Sequence, residues 1–359
     1  MNAILSRRAL FFAVAITVFA LVLVYPTLRL QGWLGIDAGV AWLVALAIFF
    51  AVFVIRAVHE RWHSMLSRRL TSVSMTWVGI SFIALCLTVP AELWVLLGGS
   101  PPHTAQFVLW FTVGLSVYGF YNANRLTSFT LDVNAPDQLR GLTLAQISDV
   151  HIGSRLTGLL PRIVARTNAM QPDYVVITGD LIDMRDIAES ELQSLQQLEA
   201  PVLFCTGNHE RYVDLEAICQ RLTNLGVNVL RNTVYRPQLH PALTFFSIDD
   251  AESKSQVAEH LPALAESAAG YPDSYRILLY HRPDGADVAS QHDIDLMLTG
   301  HTHRGQIVPF NFLVKRVFPE YYRSYQQDRT RLYVSPGTGT WGPVLRLGSK
   351  CEITLIRLL

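Results

Sequence analysis

Five short polar pieces lie between Asp149 and His303, and their side chains are of the kinds that bind divalent transition metals through oxygen or imidazole nitrogen. They read Asp149-Val150-His151, Gly179-Asp180-Leu181-Ile182-Asp183, Gly207-Asn208-His209-Glu210, a single His281, and Gly300-His301-Thr302-His303. No thiolate belongs to the set. Carboxylate, amide and imidazole donors suit Mn, Fe or Zn at a reactive site better than a closed structural zinc. Asp149 and His151 stand two residues apart, so both can converge on one ion. A carboxylate placed as Asp180 is can bridge to a second ion; Asn208 offers a neutral carbonyl oxygen, and His281, His301 and His303 offer imidazoles. Two ions in such a site sit about 3.5–4 Å apart, lower the pKa of a bridging water and clamp phosphoryl oxygens. Singly, a Gly-Asp pair or a lone histidine is more often a turn or a satisfied polar group, so the argument rests on the ordered set.

Each piece follows a short apolar run that reads as a buried parallel strand. Strands are expected at 142–148, 173–178 and 202–206, and later at 243–248, 276–280, 294–298, 331–335 and 352–356. Amphipathic helices are expected at 159–170, 187–199 and 215–225. In open α/β sheets, ligands bind in the crevice beyond the carboxyl ends of the strands, where all five pieces fall. Gly179, Gly207 and Gly300 permit tight turns where backbone meets ion and phosphate. Helical crossovers early and hairpin-like strands late point to a layered α/β sandwich with mixed sheets.

The first third of the chain is different in kind. Residues 1–125 hold eight Arg, no Lys and three acids, Asp37, Glu60 and Glu92. Four apolar stretches, at 10–28, 38–55, 72–95 and 105–121, approach the roughly 20 residues that cross a bilayer. They lack the polar faces of soluble bundle helices. Pro90 implies a kink and Glu92 an interfacial carboxylate. Arg7 and Arg8 precede the first stretch, Arg56, Arg61, Arg68 and Arg69 fill the second connection, and Arg125 follows the fourth stretch. By the positive-inside rule the N-terminus and everything after residue 125 face the cytoplasm. The organisation expected is therefore a four-helix membrane region at 1–125, a join at 126–140 with turn chemistry at Asn134, Pro136 and Asp137, and a globular domain at 141–359. A net charge of +0 without a basic run argues against nucleic acid as a partner. Cys86, Cys205, Cys219 and Cys351 show no C-x-x-C spacing, which fits a reducing compartment.

The ordered set resembles the calcineurin-like metallophosphoesterase superfamily, whose pattern is D-x-H, G-D-x-x-D, G-N-H-[ED], H, G-H-x-H. The resemblance covers roughly residues 140–358, with every motif intact. It implies a four-layer sandwich, two mixed sheets flanked by helices, and a dinuclear site for which Mn is favoured over Fe or Zn. It also implies that Asp149, His151 and His303 bind one ion, that Asn208, His281 and His301 bind the other, and that Asp180 bridges. His209 would be the acid that protonates the leaving oxygen or steadies the transition state, supported by Glu210 and Asp183. The membrane-anchored bacterial subgroup usually continues the last motif as G-H-T-H-G-G-Q, whereas here Arg304 stands before Gly305-Gln306, as a solvated side chain or as a contact to an anionic substrate group. The serine/threonine phosphatase branch follows its second motif with Arg-Gly; here Asp183 is followed by Met184-Arg185, which lowers the phosphoprotein reading.

Hydrolysis of a phosphodiester or pyrophosphate bond in a lipid or lipid-linked substrate is the activity expected, by attack of a metal-bridged hydroxide at the inner membrane. Tyr321, Tyr322, Arg323 and Tyr325 form either an aromatic, cationic lip or ordinary packing. The alternatives are a soluble phosphodiester or nucleotide as substrate, or a non-catalytic metal-binding membrane scaffold or sensor.

Overall fold

The computed structural model of the chain describes residues 2–155, 158–185, 187–253 and 255–359, with the side chains before Leu10 and those of Phe11 and Phe12 outside the description. Arg7 and Arg8, on which part of the orientation argument rests, therefore lie outside the described side chains. The chain divides into two compact units, one of residues 1–121 with 342–345 and one of residues 122–341 with 346–359.

The first unit holds helices α1 (Asn2–Trp33), α2 (Ala38–Arg61), α3 (Met65–Leu96) and the greater part of α4 (Pro101–Asn124). Asp37 starts α2 by accepting the backbone N–H groups of Gly39 and Val40, and Ser64 caps α3. Among the described residues, three helices are long and apolar enough to cross a membrane: α1 over Ala13–Trp33, α2 over its whole length, and α3. The fourth expected span does form a helix, but Gln106, Ser116, Tyr118 and Tyr121 dilute its apolar character. Glu92 is not a lone carboxylate. It pairs with the Arg29 guanidinium, one contact being 2.6 Å, and accepts the Tyr25 hydroxyl at 3.0 Å. A paired charge is far cheaper to keep in an apolar helix than a bare one.

Among the described residues, the second unit carries the strands β1 (Leu126–Val133), β2 (Thr143–Ile147), β3 (Tyr174–Thr178), β4 (Val202–Cys205), β5 (Asn228–Val229), β6 (Thr233–Tyr235), β7 (Leu243–Ser247), β8 (Tyr275–Leu279), β9 (Leu296–Thr299), β10 (Arg323–Gln327), β11 (Thr330–Val334) and β12 (Cys351–Leu358). Its helices are α5 (Leu159–Asn168), α6 (Glu189–Leu192), α7 (Asn208–Val213), α8 (Leu215–Asn224), α9 (Gln256–Ser267), α10 (Ala286–Gln291) and α11 (Phe310–Val317). Two six-stranded mixed sheets run β1-β12-β2-β3-β4-β5 and β10-β11-β9-β8-β7-β6. Apolar residues from both sheets, among them Leu144, Val176, Leu203, Phe245, Ile277 and Leu298, form a core between them. A second core lies between the first sheet and α5 and α8, and a third between the second sheet and α9 and α10. Gln146 ties the two sheets together at depth: its amide donates to Thr178 Oγ1 in β3 and to the Thr299 carbonyl in β9, both at 2.9 Å.

Several expectations change. The stretch 126–140 is more than the expected join: its first eight residues form β1, which pairs in parallel with β12 from Leu126↔Cys351 to Val133↔Leu358. Phe129, Leu131 and Val133 alternate with polar residues at the period of a strand, and the turn residues that follow masked that signal. The late strands are hairpin-like only in part: β10 and β11 form an antiparallel hairpin and β6 runs antiparallel to β7, whereas β7, β8, β9 and β11 are mutually parallel. The helix expected at 187–199 is broken into α6 and a 3-10 segment at Gln193–Gln197.

Candidate metal centre

All seven expected ligands lie at the carboxyl ends of strands in the second unit, on loops drawn together by backbone hydrogen bonds. The Asp149 N–H donates to the Gly179 carbonyl at 3.1 Å, and the His151 N–H donates to the Asp180 carbonyl at 3.0 Å. Asp149, His151, Asp180, His301 and His303 all have φ between +49° and +68°, a region that non-glycine residues rarely enter. Such strain persists only where surrounding structure fixes it, and here it turns side chains from different strands toward one locus. Two glycines leave the room required. A Cβ at Gly207 would stand 2.2 Å from Asp180 Oδ1, and one at Gly300 would stand 2.0 Å from Ser148 Oγ.

The ligand atoms fall into two groups. Asp149, His151 and His303 form one, with Nε2 of His151 3.0 Å from Nε2 of His303, and the latter 3.4 Å from Asp149 Oδ1. Asp180, His281 and His301 form the other: Asp180 Oδ2 is 3.1 Å from His281 Nε2, which is 3.2 Å from His301 Nδ1. Donors about 3 Å apart suit one ion about 2.0–2.2 Å from each. Asp180 Oδ2 also lies 3.8 Å from His151 Nε2, so a single carboxylate oxygen stands between the groups. Asn208 Oδ1 is buried without a hydrogen-bond donor, an arrangement that a cation satisfies. The residues present fit a pair of divalent ions.

Supporting contacts orient the rings. His281 Nδ1 sits 2.8 Å from the Thr178 carbonyl, to which it can only donate, leaving Nε2 to face Asp180. Nδ1 of His151 faces Asp183 Oδ2 at 3.5 Å, and Asp183 Oδ1 accepts the Ser154 N–H at 2.9 Å. His151, Asp183 and His209 also bring one nitrogen or oxygen each to within 4.8 Å of one another, but Asp183 is already engaged by Ser154 and acts as a support. Ser148 Oγ donates to Asp149 Oδ2 at 2.6 Å. Glu210 is fully buried and accepts the backbone N–H groups of Asp180, Leu181, Ile182 and Gly207 at 2.8–3.1 Å, stitching the second and third motifs together.

Burial shapes the charges. It pushes Asp149 up and pushes His301 and His303 well below the ordinary histidine range, so both rings are neutral and have lone pairs for a metal. Burial acts against charge on Asp180 too, but His281, His209 and His151 more than reverse it and hold the carboxylate ionised. His281 moves the opposite way: burial opposes its charge, yet Asp180 raises the ring above its ordinary value. His209, lowered to about 4 by burial and then by His151, is neutral across the physiological range. Its side chain is 16% exposed, its Nε2 lies 3.9 Å from Asp180 Oδ2, and its ring meets His151 edge-on at 4.7 Å and Trp341 at 6.2 Å.

Arg304 lies half-buried beside the last motif, its guanidinium 4.1 Å from the Tyr322 ring and without a carboxylate partner among the described residues. Arg323 is structural: it forms a two-pronged pair with Glu352 at 2.7 and 2.9 Å and covers Phe129 at 3.5 Å, so the lip reading gives way to packing. Arg346 escaped sequence reasoning altogether. Fully buried, it donates to the carbonyls of His303, Pro336 and Gly339 and approaches His303 Nδ1 at 3.1 Å. No charge pattern around it announces this role, because its partners are backbone oxygens.

The family model for calcineurin-like phosphoesterases matches residues 142–305. A "transmembrane protein with metallophosphoesterase domain" of Danio rerio is 32% identical over 86% of this chain and 77% of its own length. A protein of the same description from Bos taurus is 34% identical over 69% of this chain and 60% of its own length, and an uncharacterised metallophosphoesterase of Campylobacter jejuni is 33% identical over 64% and 62%. Among solved structures, a dimetal phosphatase from Danio rerio aligns with 55% of this chain and 88% of its own, at 15% identity and a TM-score of 0.37.

Proposed function

The chain belongs to the calcineurin-like metallophosphoesterase family, and on that premise we propose that it is a membrane-anchored hydrolase of a phosphodiester or pyrophosphate bond in a lipid or lipid-linked substrate. The observation that carries this reading is the position of Asp180 Oδ2 between two groups of metal-binding side chains, beside a buried, donorless Asn208 oxygen. In the proposed assignment Asp149, His151 and His303 hold one ion, Asn208, His281 and His301 hold the other, and Asp180 serves both. Bound there, two divalent ions, Mn in our reading, would acidify a water and neutralise phosphoryl charge.

The chain's own residues do the rest. Ser148 and Asp183 fix the orientation of Asp149 and His151, and Glu210 holds the loops that carry Asp180 and Asn208 in register. His209 faces the opening as a neutral ring, so its N–H serves best as a hydrogen-bond donor to oxygen that gains charge as the ester bond breaks. Arg304 supplies a cation for a further anionic group of the substrate. The proposed setting is an inner membrane, with α4 as a fourth span, residues 1–125 as the membrane region and the site facing the cytoplasm. A site so tethered meets lipid-borne phosphoesters at high local concentration.

The test uses the full-length protein in detergent, loaded with Mn²⁺, given total membrane lipid and, separately, bis(p-nitrophenyl) phosphate, with His209→Ala as the blank. Loss of a lipid species together with dye release is the expected result. Dye release with no change in lipid would move the substrate to a soluble diester. Two bound ions with silence in both assays would overturn hydrolysis in favour of a metal-binding scaffold.

A further inference from the structure

Just past the last ligand motif, α11 presents an amphipathic pattern that the domain does not bury. Phe310, Leu313, Val314 and Val317 recur at i, i+3, i+4 and i+7, the spacing that forms one apolar stripe on a helix. A soluble domain turns such a stripe into its core. Here not one residue of α11 is buried, and Phe312, Leu313 and Val317 are 67%, 60% and 58% exposed. The helix is held instead along its flank, where Asn311 packs against Gly305 and Val314 is half-buried. At its end Phe318 meets the His301 ring at 5.2 Å. Exposed Val308, before the helix, and exposed Trp341, bonded through its backbone to the Gln306 side chain, extend the apolar surface around the same opening.

Charge selects the occupant. Lys315 and Arg316 close the helix, both exposed and without carboxylate partners among the described residues, and Lys315 is one of only three lysines in the chain. A stripe of Phe, Leu and Val beside Lys and Arg, with tryptophan nearby, is the composition that lies in the plane of a bilayer with anionic headgroups. The same chain carries helices long and apolar enough to anchor it in a membrane, so such a surface is always within reach. We propose that α11 is an interfacial membrane-docking helix that seats the mouth of the metal centre on the headgroup layer, with Leu313 and Val317 immersed and Lys315 and Arg316 on lipid phosphates. This inference rests on the membrane setting proposed above and is independent of the chemistry assigned to the metal centre.

The test reconstitutes the full-length chain in vesicles of phosphatidylethanolamine and phosphatidylglycerol. Leu313→Cys is labelled with an environment-sensitive fluorophore, with unsubstituted protein as the blank for native Cys86. Leu239→Cys is the solvent control, since Leu239 is 83% exposed and precedes the amino end of β7, away from the carboxyl ends that carry the site. The expected result is blue-shifted emission at position 313, quenched several-fold more by shallow spin-labelled lipid than at position 239, and the same in a His209→Ala background. Quenching no greater than at 239 overturns the proposal. Cross-linking between two copies through position 313 without lipid quenching also overturns it, in favour of a second copy as the occupant. In a second arm, Leu313→Asp with Val317→Asp is expected to leave hydrolysis of bis(p-nitrophenyl) phosphate unchanged. In that double variant, lipid quenching at Phe312→Cys should fall to the level of the control, and persistent quenching there would overturn the assignment of the apolar stripe. Loss of hydrolysis in the unsubstituted protein with quenching intact would sink the hydrolase reading alone.

Discussion

The two sheets contribute unlike chemistry to the same centre. The loops after β2, β3 and β4, in the first sheet, bring the carboxylates of Asp149, Asp180, Asp183 and Glu210, together with the Asn208 amide and the His151 imidazole. The loops after β8 and β9, in the second, bring only imidazoles, those of His281, His301 and His303. The first sheet therefore supplies the negative charge that makes divalent ions favourable, and the second supplies imidazoles that close their coordination, His301 and His303 already neutral and His281 holding a proton that an ion displaces. Burial enforces the division, keeping His301 and His303 uncharged while the histidines around Asp180 keep it ionised. It follows that damage on the two sides should differ in kind.

The largest effect is expected from Asp180→Asn. It removes a charge placed between both groups, so elemental analysis of gel-filtered protein should find both ions lost. Retention of both would break the comparison at its centre. His303→Ala, on the imidazole side, should release one ion and leave the other, with hydrolysis abolished; equal loss of both would show that charge and coordination are not divided between the sheets. Ser148→Ala leaves every ligand in place but removes the hydroxyl bonded to Asp149, so metal affinity should fall about 10–100-fold. An unchanged titration would mean that the backbone alone holds Asp149.

The smallest effect concerns pH. Asp180 raises His281 above the ordinary histidine value, so in the ion-free fold the ring carries a proton at neutral pH that an ion must displace. His301 and His303 are already neutral there and add no such term. Burial opposes charge on His151, yet Asp183, Asp180 and Asp149 raise it, so it adds to that release. Metal affinity should thus rise with pH between about pH 6 and 8, and calorimetry in buffers of different ionisation enthalpy should show net proton release. A flat affinity would place neutral imidazoles on the second sheet without exception.

The centre was legible because each ligand follows a short apolar strand at a fixed spacing, so Asp149, Asp180 and His301 could be placed from type and order alone. What sequence hid was of three kinds. Arg346 bonds backbone carbonyls from unrelated loops, and no pattern of side chains marks that role. The helix expected at 187–199 has the right periodicity, but the packing of Leu192 and Leu195 into the first-sheet core coincides with a change to a tighter turn. Strand β1 is bounded by turn residues that drew attention from its alternation, and its partner lies so far along the chain that no local signal pairs them.

That pairing governs assembly. Because β12 lies between β1 and β2, β1 has no partner and β2 pairs only with β3 until residues 351–358 have been synthesised. The helices leave the ribosome first, and β1 then remains an unpaired strand of the kind that invites non-native pairing. Any delay in synthesis of residues 351–358 therefore lengthens the time for which β1 has no native partner.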